Sequence, residues 1–154
     1  MLTIIGVDPG LEGAFAIWQD GDIIRVDDLP RFQKSLDPYS LQAEFARWRV
    51  DLAMLEEVHA MPKQGVASTF TFGRAYGTIE GVLGALRISV KHVRPRVWQQ
   101  AHGITSKTSS LEKAVRRFPE WTPALARKRD HNRADAILIA AYGVDIYKQM
   151  REDV

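Results

Sequence analysis

Residues 2–26 decide the fold, and they read LTIIGVDPGLEGAFAIWQDGDIIRV. The apolar, β-branched run from Leu2 to Val7 predicts a buried strand, and the turn Asp8-Pro9-Gly10 ends it. Residues 14–18 predict a second strand. Asp20-Gly21 is a strong hairpin signal before a third strand at 23–26. The chain therefore opens with a predicted antiparallel meander of three strands.

The rest of the chain follows the pattern of an α/β fold. Asp37 and Pro38 form a helix start, and an apolar stripe of Leu41, Phe45 and Trp48 predicts the helix behind it. Apolar runs predict strands at 52–55 and 89–93, and helical patterns cover about 68–86, 95–102, 111–118 and 134–150, with a polar loop at 103–109. We expect a five-stranded mixed sheet, three antiparallel strands and then two parallel ones, flanked by helices in a single domain over 1–154.

The composition excludes several classes of protein. The 154 residues are 45% hydrophobic and 26% charged, as in an ordinary globular domain, and none is cysteine. The lack of cysteine rules out disulfides, thiolate catalysis and cysteine-ligated zinc. No apolar run reaches the ~18 residues of a membrane span, and no basic region precedes the first apolar stretch as in a signal peptide. We expect a cytoplasmic protein that does not contact membranes.

The small net charge of +2 conceals a strong asymmetry along the chain. Twelve basic and three acidic residues lie between Arg87 and Arg133, a net charge of +9, which leaves −7 for the remainder. A basic segment that also carries stacking and hydrogen-bonding groups favours nucleic-acid binding over a merely solvated helix face. The predicted DNA contacts are Arg74, Arg94, Arg96, Trp98, Arg129 and Arg133.

Acidic residues stand at the ends of predicted strands and at the start of the last helix. Asp8 and Glu56-Glu57 end strands, and Asp135 lies among small apolar residues. Buried carboxylates need a partner, and three that converge would favour Mg²⁺ or Mn²⁺ and a two-ion phosphoryl transfer. The alternative is structural, with Asp8 holding its turn and Asp135 complementing the helix dipole.

The segment 130–135 adds candidates beside Asp135. His131 and Asn132 lie four and three residues before it, so either can share its helix face, whereas Asp130 does so only if it precedes the helix. A histidine beside a metal-bound carboxylate can ligate the metal or shuttle protons. The alternative is a capping segment with a solvent-facing histidine.

Glycines recur at four-residue spacing in the helix after Glu56. Gly73, Gly77 and Gly81 place a glycine stripe on one face, which costs helix stability unless something approaches closely. The stripe is interpreted as contacting the sheet, a second subunit or a nucleic-acid backbone.

Together these motifs resemble the RuvC family of Holliday-junction resolvases, phage-type members above all, within the RNase H-like superfamily. The resemblance rests on GVDPG at 6–10, LEEV at 55–58 and RADA at 133–136, with support from FGRAYG at 72–77 and RPRVWQ at 94–99. It implies a homodimeric, metal-dependent endonuclease that cuts two strands of a four-way DNA junction, with Mg²⁺ or Mn²⁺, two ions per site.

The resemblance also implies roles for individual residues. Asp8, Glu56 and Asp135 would be metal ligands. The family's fourth acid falls on Asn132 here, so His131 is the predicted substitute and Asp130 the second choice. His59 falls near the position of an aromatic residue at the junction centre, and Lys107 would contact the scissile phosphate.

Other functions share parts of this pattern. A related RNase H-like nuclease could act on flaps, forks or RNA–DNA hybrids, and the motifs do not separate these substrates. A non-catalytic DNA-binding relative is disfavoured by the intact acids. An actin-like kinase is disfavoured by length, because that fold needs two such domains.

Overall fold

The computed structural model describes all residues from 1 to 154. The strands are β1 (Thr3–Asp8), β2 (Ala14–Gln19), β3 (Asp22–Asp28), β4 (Arg31–Phe32), β5 (Ser35–Leu36), β6 (Leu52–Glu56) and β7 (Val90–Val93). The helices are α1 (Pro38–Phe45), α2 (Val66–Ala85), α3 (Pro95–His102), α4 (Lys107–Arg117) and α5 (His131–Glu152), with 3₁₀ turns at Pro119–Leu125 and Lys128–Asp130. None of the helices is long and apolar enough to span a membrane.

The main sheet has the strand order β3-β2-β1-β6-β7. The first three strands are antiparallel, and β6 and β7 run parallel to β1. Asp20 and Gly21 both have positive φ, 48° and 109°, as a tight turn between β2 and β3 requires. The predicted fold class, a five-stranded mixed sheet flanked by helices, is confirmed.

The pleat of the sheet sorts side chains into two layers. In β1, Ile5 and Val7 pack into the core beneath α1 and α2, whereas Ile4 packs on the other face against α5. In β6, Leu55 packs beneath α1 and α2, whereas Met54 packs on the face covered by α5. Since successive side chains alternate between faces, the strand ends Asp8 and Glu56 share the α5 face.

Gly6 lets α5 lie directly on β1. A Cβ atom at this position would overlap the backbone of Ala136 and Ala140. The small residues of α5 complete the fit, because Ala136 and Ala140 are fully buried. This close approach brings the first turns of α5, including Asp135, to the end of β1 that carries Asp8.

The structure differs from the sequence-based expectation in four elements. Helix α1 ends at Phe45, so Trp48 of the predicted apolar stripe lies beyond the helix. A second small hairpin, β4–β5, follows β3 and was not predicted. Helix α4 begins at Lys107 inside the predicted loop, because Ser106 and Ser109 form a capping box that satisfies its first backbone amides. Helix α5 begins at His131, three residues earlier than its apolar pattern indicated.

Candidate active site

Three carboxylates from distant parts of the chain meet at one edge of the sheet. In the parallel ladder Val7 lies opposite Leu55, so the next residues, Asp8 and Glu56, leave adjacent strands side by side. Asp135 approaches them from α5, which packs on the same face. The sequence-predicted set of Asp8, Glu56 and Asp135 is therefore brought together.

The electrostatics of these carboxylates reflect burial and mutual repulsion. Asp8 is only 9% exposed, and burial raises its pKa well above the usual value, with the charges of Glu56 and Asp135 raising it further. Burial raises the pKa of Glu56 to about 7; the hydrogen bond from Trp98 opposes this shift, and the charge of Asp135 adds to it. Burial also raises the pKa of Asp135, although the Ser110 hydroxyl, His131 and Lys107 oppose the shift. Such a cluster gains stability from a cation.

Trp98 belongs to this site and is not a DNA contact. Its ring is fully buried, and its Nε1–H donates a hydrogen bond of 2.7 Å to Glu56 Oε2. A buried ring cannot stack on a nucleotide base, so the prediction that Trp98 contacts DNA is corrected. The basic neighbours of Trp98 suggested stacking, and its true partner lies 42 positions away in the sequence.

Of the candidates for a fourth ligand, His131 lies nearest to the carboxylates. Its Nδ1 is 3.7 Å from Asp135 Oδ2 and is a buried polar atom without a hydrogen-bond partner. Asp130 is 3% exposed and is held by Arg127, whose Nη2 lies 2.8 Å from Asp130 Oδ1. Asn132 donates to the Glu12 carbonyl at 2.7 Å. The structure therefore favours His131 over Asp130 and Asn132.

Lys107 reaches the site from the first turn of α4. It lines a cavity of about 260 Å³ together with Gln99, Ser110 and Asp135. Its side chain is exposed, and its charge lowers the pKa of Asp135. The cavity places an exposed cation beside a carboxylate, which suits contact with a phosphate group.

The donor chemistry of the site fits a hard divalent cation, although the side chains are not yet arranged around one. No group of three or more acidic or histidine side chains is positioned to hold a metal ion as it stands. The carboxylates instead have protein partners, Trp98 for Glu56 and His131 for Asp135. Metal binding therefore requires these side chains to turn toward one another.

The fold was compared with solved structures. Thermus thermophilus RuvC in complex with a Holliday junction substrate superposes with a TM-score of 0.70 at 15% sequence identity, over 97% of this chain and 96% of that one. Fowlpox virus resolvase, solved with Holliday junction DNA, gives a TM-score of 0.58 at 17% identity, over 92% of this chain and 98% of that one. This chain has the RNase H-like fold of RuvC. The resemblance deduced from its motifs is confirmed.

A sequence relative supports the RuvC resemblance over half of the chain. The chloroplastic Holliday junction resolvase MOC1 of Chlamydomonas reinhardtii is 32% identical over 87 residues. The match covers 54% of this chain and 10% of the relative, so the chain spans about a tenth of the length of MOC1. No family model matches the chain.

The remaining predicted DNA contacts occupy different parts of the RuvC fold. Lys107, Arg74, Arg96 and Arg129 have exposed side chains. Arg133 is 18% exposed and binds Asp28 at 2.8 Å and the Ala124 carbonyl at 3.0 Å, so it anchors the start of α5.

His59 and Arg94 lie beside Glu57, on the sheet face opposite Glu56. The atoms His59 Nε2 and Arg94 Nε are each 3.6 Å from a Glu57 carboxylate oxygen. Both side chains are mostly exposed, 73% and 75% respectively. The pleat therefore separates the two neighbouring glutamates, with Glu56 facing the other carboxylates and Glu57 facing two exposed basic side chains.

Proposed function

We propose that this chain is a divalent-metal-dependent endonuclease that cuts four-way DNA junctions. The observation that carries the proposal is the meeting of Asp8, Glu56 and Asp135 at one edge of a RuvC-type fold. The similarity to MOC1, a Holliday junction resolvase, supports the substrate. Exposed cations around the carboxylates supply the charge that phosphodiester binding requires.

The residues that would hold the metal are Asp8, Glu56 and Asp135, with His131 as the fourth candidate. Two bound ions, Mg²⁺ or Mn²⁺, would supply activation of water and stabilisation of the leaving 3′ oxygen. Oxygen-rich donors suit either ion. Burial raises the pKa of all three carboxyls, and neighbouring carboxylates raise the pKa of Asp8 and Glu56 further, so a divalent cation would stabilise the ionised forms.

The chain's own groups supply orientation and charge around the reacting phosphate. Lys107 reaches the cavity beside Asp135 and would hold a non-bridging phosphate oxygen. The Trp98 indole fixes one oxygen of Glu56. The imidazole of His131 lies beside Asp135, where it would orient that carboxylate and accept a proton.

The substrate is tested by cleavage of labelled DNA in Mg²⁺. A synthetic four-way junction is compared with duplex, flap and RNA–DNA hybrid substrates of the same sequence. We expect the junction to be cut at least ten times faster than the others. Faster cutting of the flap or the hybrid would instead assign the chain to another class of RNase H-like nuclease.

Replacing Trp98 by Phe is expected to raise the Mg²⁺ concentration needed for half-maximal cleavage about tenfold, because Glu56 loses the donor that orients it. Phenylalanine retains most of the ring volume, so the fold is preserved. The measurement is the cleavage rate across a Mg²⁺ titration.

Trp121→Phe is the matched control for this variant. Trp121 Nε1 donates to the Ile23 carbonyl at 2.8 Å, so its loss removes a similar hydrogen bond away from the carboxylates. We expect an unchanged Mg²⁺ requirement. Equal shifts in both variants would contradict a specific role for Trp98.

We further propose that the chain forms a homodimer through the outer face of α2. A Cβ atom at Gly73, Gly77 or Gly81 would meet nothing within 4 Å, so this stripe faces away from the sheet. Val66 and Phe70 continue the same face, 89% and 71% exposed. An uncovered face of glycine and apolar residues suits a second copy of the helix across a two-fold axis.

The substitution Gly77→Glu is expected to convert the dimer to a monomer, because it introduces a charge at the centre of the stripe. The monomer's fold is expected to survive, since the position is open to solvent. Sedimentation velocity measures the mass, and Gln149→Glu, at an exposed position on α5, is the control. An unchanged mass for Gly77→Glu would exclude this interface.

A further inference from the structure

The β4–β5 hairpin projects from the fold with an exposed, positively charged tip. Its strands pair Arg31 with Leu36 and Phe32 with Ser35, and its base is fixed by Leu36, which is buried in the core. Arg31 and Lys34 are exposed, and Phe32 is 68% exposed. The hairpin therefore presents two cations and an aromatic ring from a rigid base.

The hairpin forms one wall of a groove that leads to the candidate active site. Three cavities of about 170, 480 and 320 Å³ adjoin around Leu11, in the β1–β2 turn, which lines all three. The first is lined by Lys34 and Arg74, and the last by Arg31 and His131. We call this row of adjoining cavities, from Arg74 past Leu11 to His131, the hairpin groove.

The cations of the hairpin groove are largely uncompensated. Arg31, Lys34, Arg74 and Arg129 line it, and none of them forms an ion pair. Two of the three acids in its walls are neutralised, Asp28 by Arg133 and Asp130 by Arg127. Only Glu12 remains unpaired, so the groove has surplus positive charge.

We propose that the hairpin groove binds the phosphate backbone of a DNA strand as it runs toward the carboxylates. The proposal rests on the nuclease function proposed above and adds a binding path to it. Spaced, unpaired cations in an open groove match a polyanion, and the exposed ring of Phe32 can contact sugars or bases. Arg31 and Lys34 lie in the part of the chain whose net charge is negative, outside the basic segment 87–133.

The test measures DNA binding by the double variant Arg31→Ala/Lys34→Ala in the full chain. The double variant and the parent protein with which it is compared both carry Asp8→Asn, so that binding is measured without cleavage. Fluorescence anisotropy of a labelled four-way junction is followed across a salt titration. We expect about tenfold weaker binding, and a slope of log affinity against log salt that is reduced by about 1.8, as two lost phosphate contacts predict.

The matched control removes two cations elsewhere. Arg49 and Lys148 are exposed and lie toward the opposite end of the sheet, where β6 begins and α5 ends. Arg49→Ala/Lys148→Ala therefore changes the net charge equally, and we expect affinity and slope to stay unchanged. The swap Arg31→Lys/Lys34→Arg preserves charge and is expected to restore both.

Two failures are distinguishable. Equal binding by the hairpin variant and the control would overturn the proposed DNA path in the hairpin groove. The proposed junction-nuclease function would not be affected. The same variants are also measured on duplex DNA. If the parent protein does not recognise junctions and only Arg31→Ala/Lys34→Ala loses duplex binding, the result would support the hairpin groove and refute the proposed substrate. A parent that binds no DNA would overturn both.

Discussion

Replacing Asp8 by Asn is expected to slow junction cleavage in Mg²⁺ by about 10³-fold or more, with junction binding retained. Asparagine has the shape of aspartate but lacks the negative charge that a divalent cation requires. The charges of Glu56 and Asp135 both act on Asp8, so its replacement affects the whole cluster. The measurements are single-turnover cleavage and junction binding of the same preparation.

The same substitution is expected to stabilise the protein when metal is chelated. Burial and two neighbouring charges raise the pKa of Asp8, which means that its ionised form destabilises the folded state at neutral pH. A neutral amide removes that cost, and a gain of ~1 kcal/mol would raise the melting temperature by about 2–4 °C. Replacing an acid that serves catalysis raises stability and abolishes cleavage, whereas replacing a structural acid lowers stability.

Glu57→Gln is the control for Asp8→Asn. Glu57 directly follows Glu56 but faces His59 and Arg94 on the other side of the sheet. We expect cleavage within a few-fold of the parent. An inactive Glu57→Gln together with an active Asp8→Asn would mean that the catalytic edge has been placed on the wrong face.

Replacing Gly6 by Ala is expected to destabilise the fold by about 3 kcal/mol or more. A methyl group at this position overlaps the backbone of Ala136 and Ala140, which side-chain rotation cannot relieve. Helix α5 must then move away from β1 and carry Asp135 with it. Urea denaturation followed by circular dichroism measures the free energy of unfolding.

Gly84→Ala is the matched control for Gly6→Ala. A Cβ atom at Gly84 meets nothing within 4 Å, and alanine is the better helix former by about 0.5–1 kcal/mol. We expect the control to be as stable as the parent or more so. Parent-like stability of Gly6→Ala would contradict the close packing of α5 that places Asp135 near Asp8.

Elements with strong local signals could be predicted from the sequence. The turn at Asp20-Gly21 and the apolar, β-branched run of β1 are local signals, and both were identified. The β4–β5 hairpin has strands of only two residues, too short for alternation to be visible. The first turn of α4 is polar, so its start depends on a serine cap and not on apolar periodicity.

The carboxylates were predictable because each stands at a strand end or among small residues, whereas their partners were not. Trp98 lies within a basic segment, and only the folded chain brings it to Glu56. Asp130 and His131 are adjacent in sequence, but Arg127 engages the first and leaves the second beside Asp135. Only the engagement of Asn132 by the Glu12 carbonyl is a tertiary contact; the choice between Asp130 and His131 depends on local side-chain pairing that residue spacing alone does not specify.

Incubation of the unmodified chain with a symmetric four-way junction, in Mg²⁺ and in EDTA, tests whether the chain is a metal-dependent junction nuclease. Sequencing gels map the cleaved strands. We expect paired nicks in two strands of like polarity, present in Mg²⁺ and absent in EDTA. Tight junction binding without cleavage in either Mg²⁺ or Mn²⁺ would contradict this expectation and leave a non-catalytic DNA-binding protein with a RuvC fold.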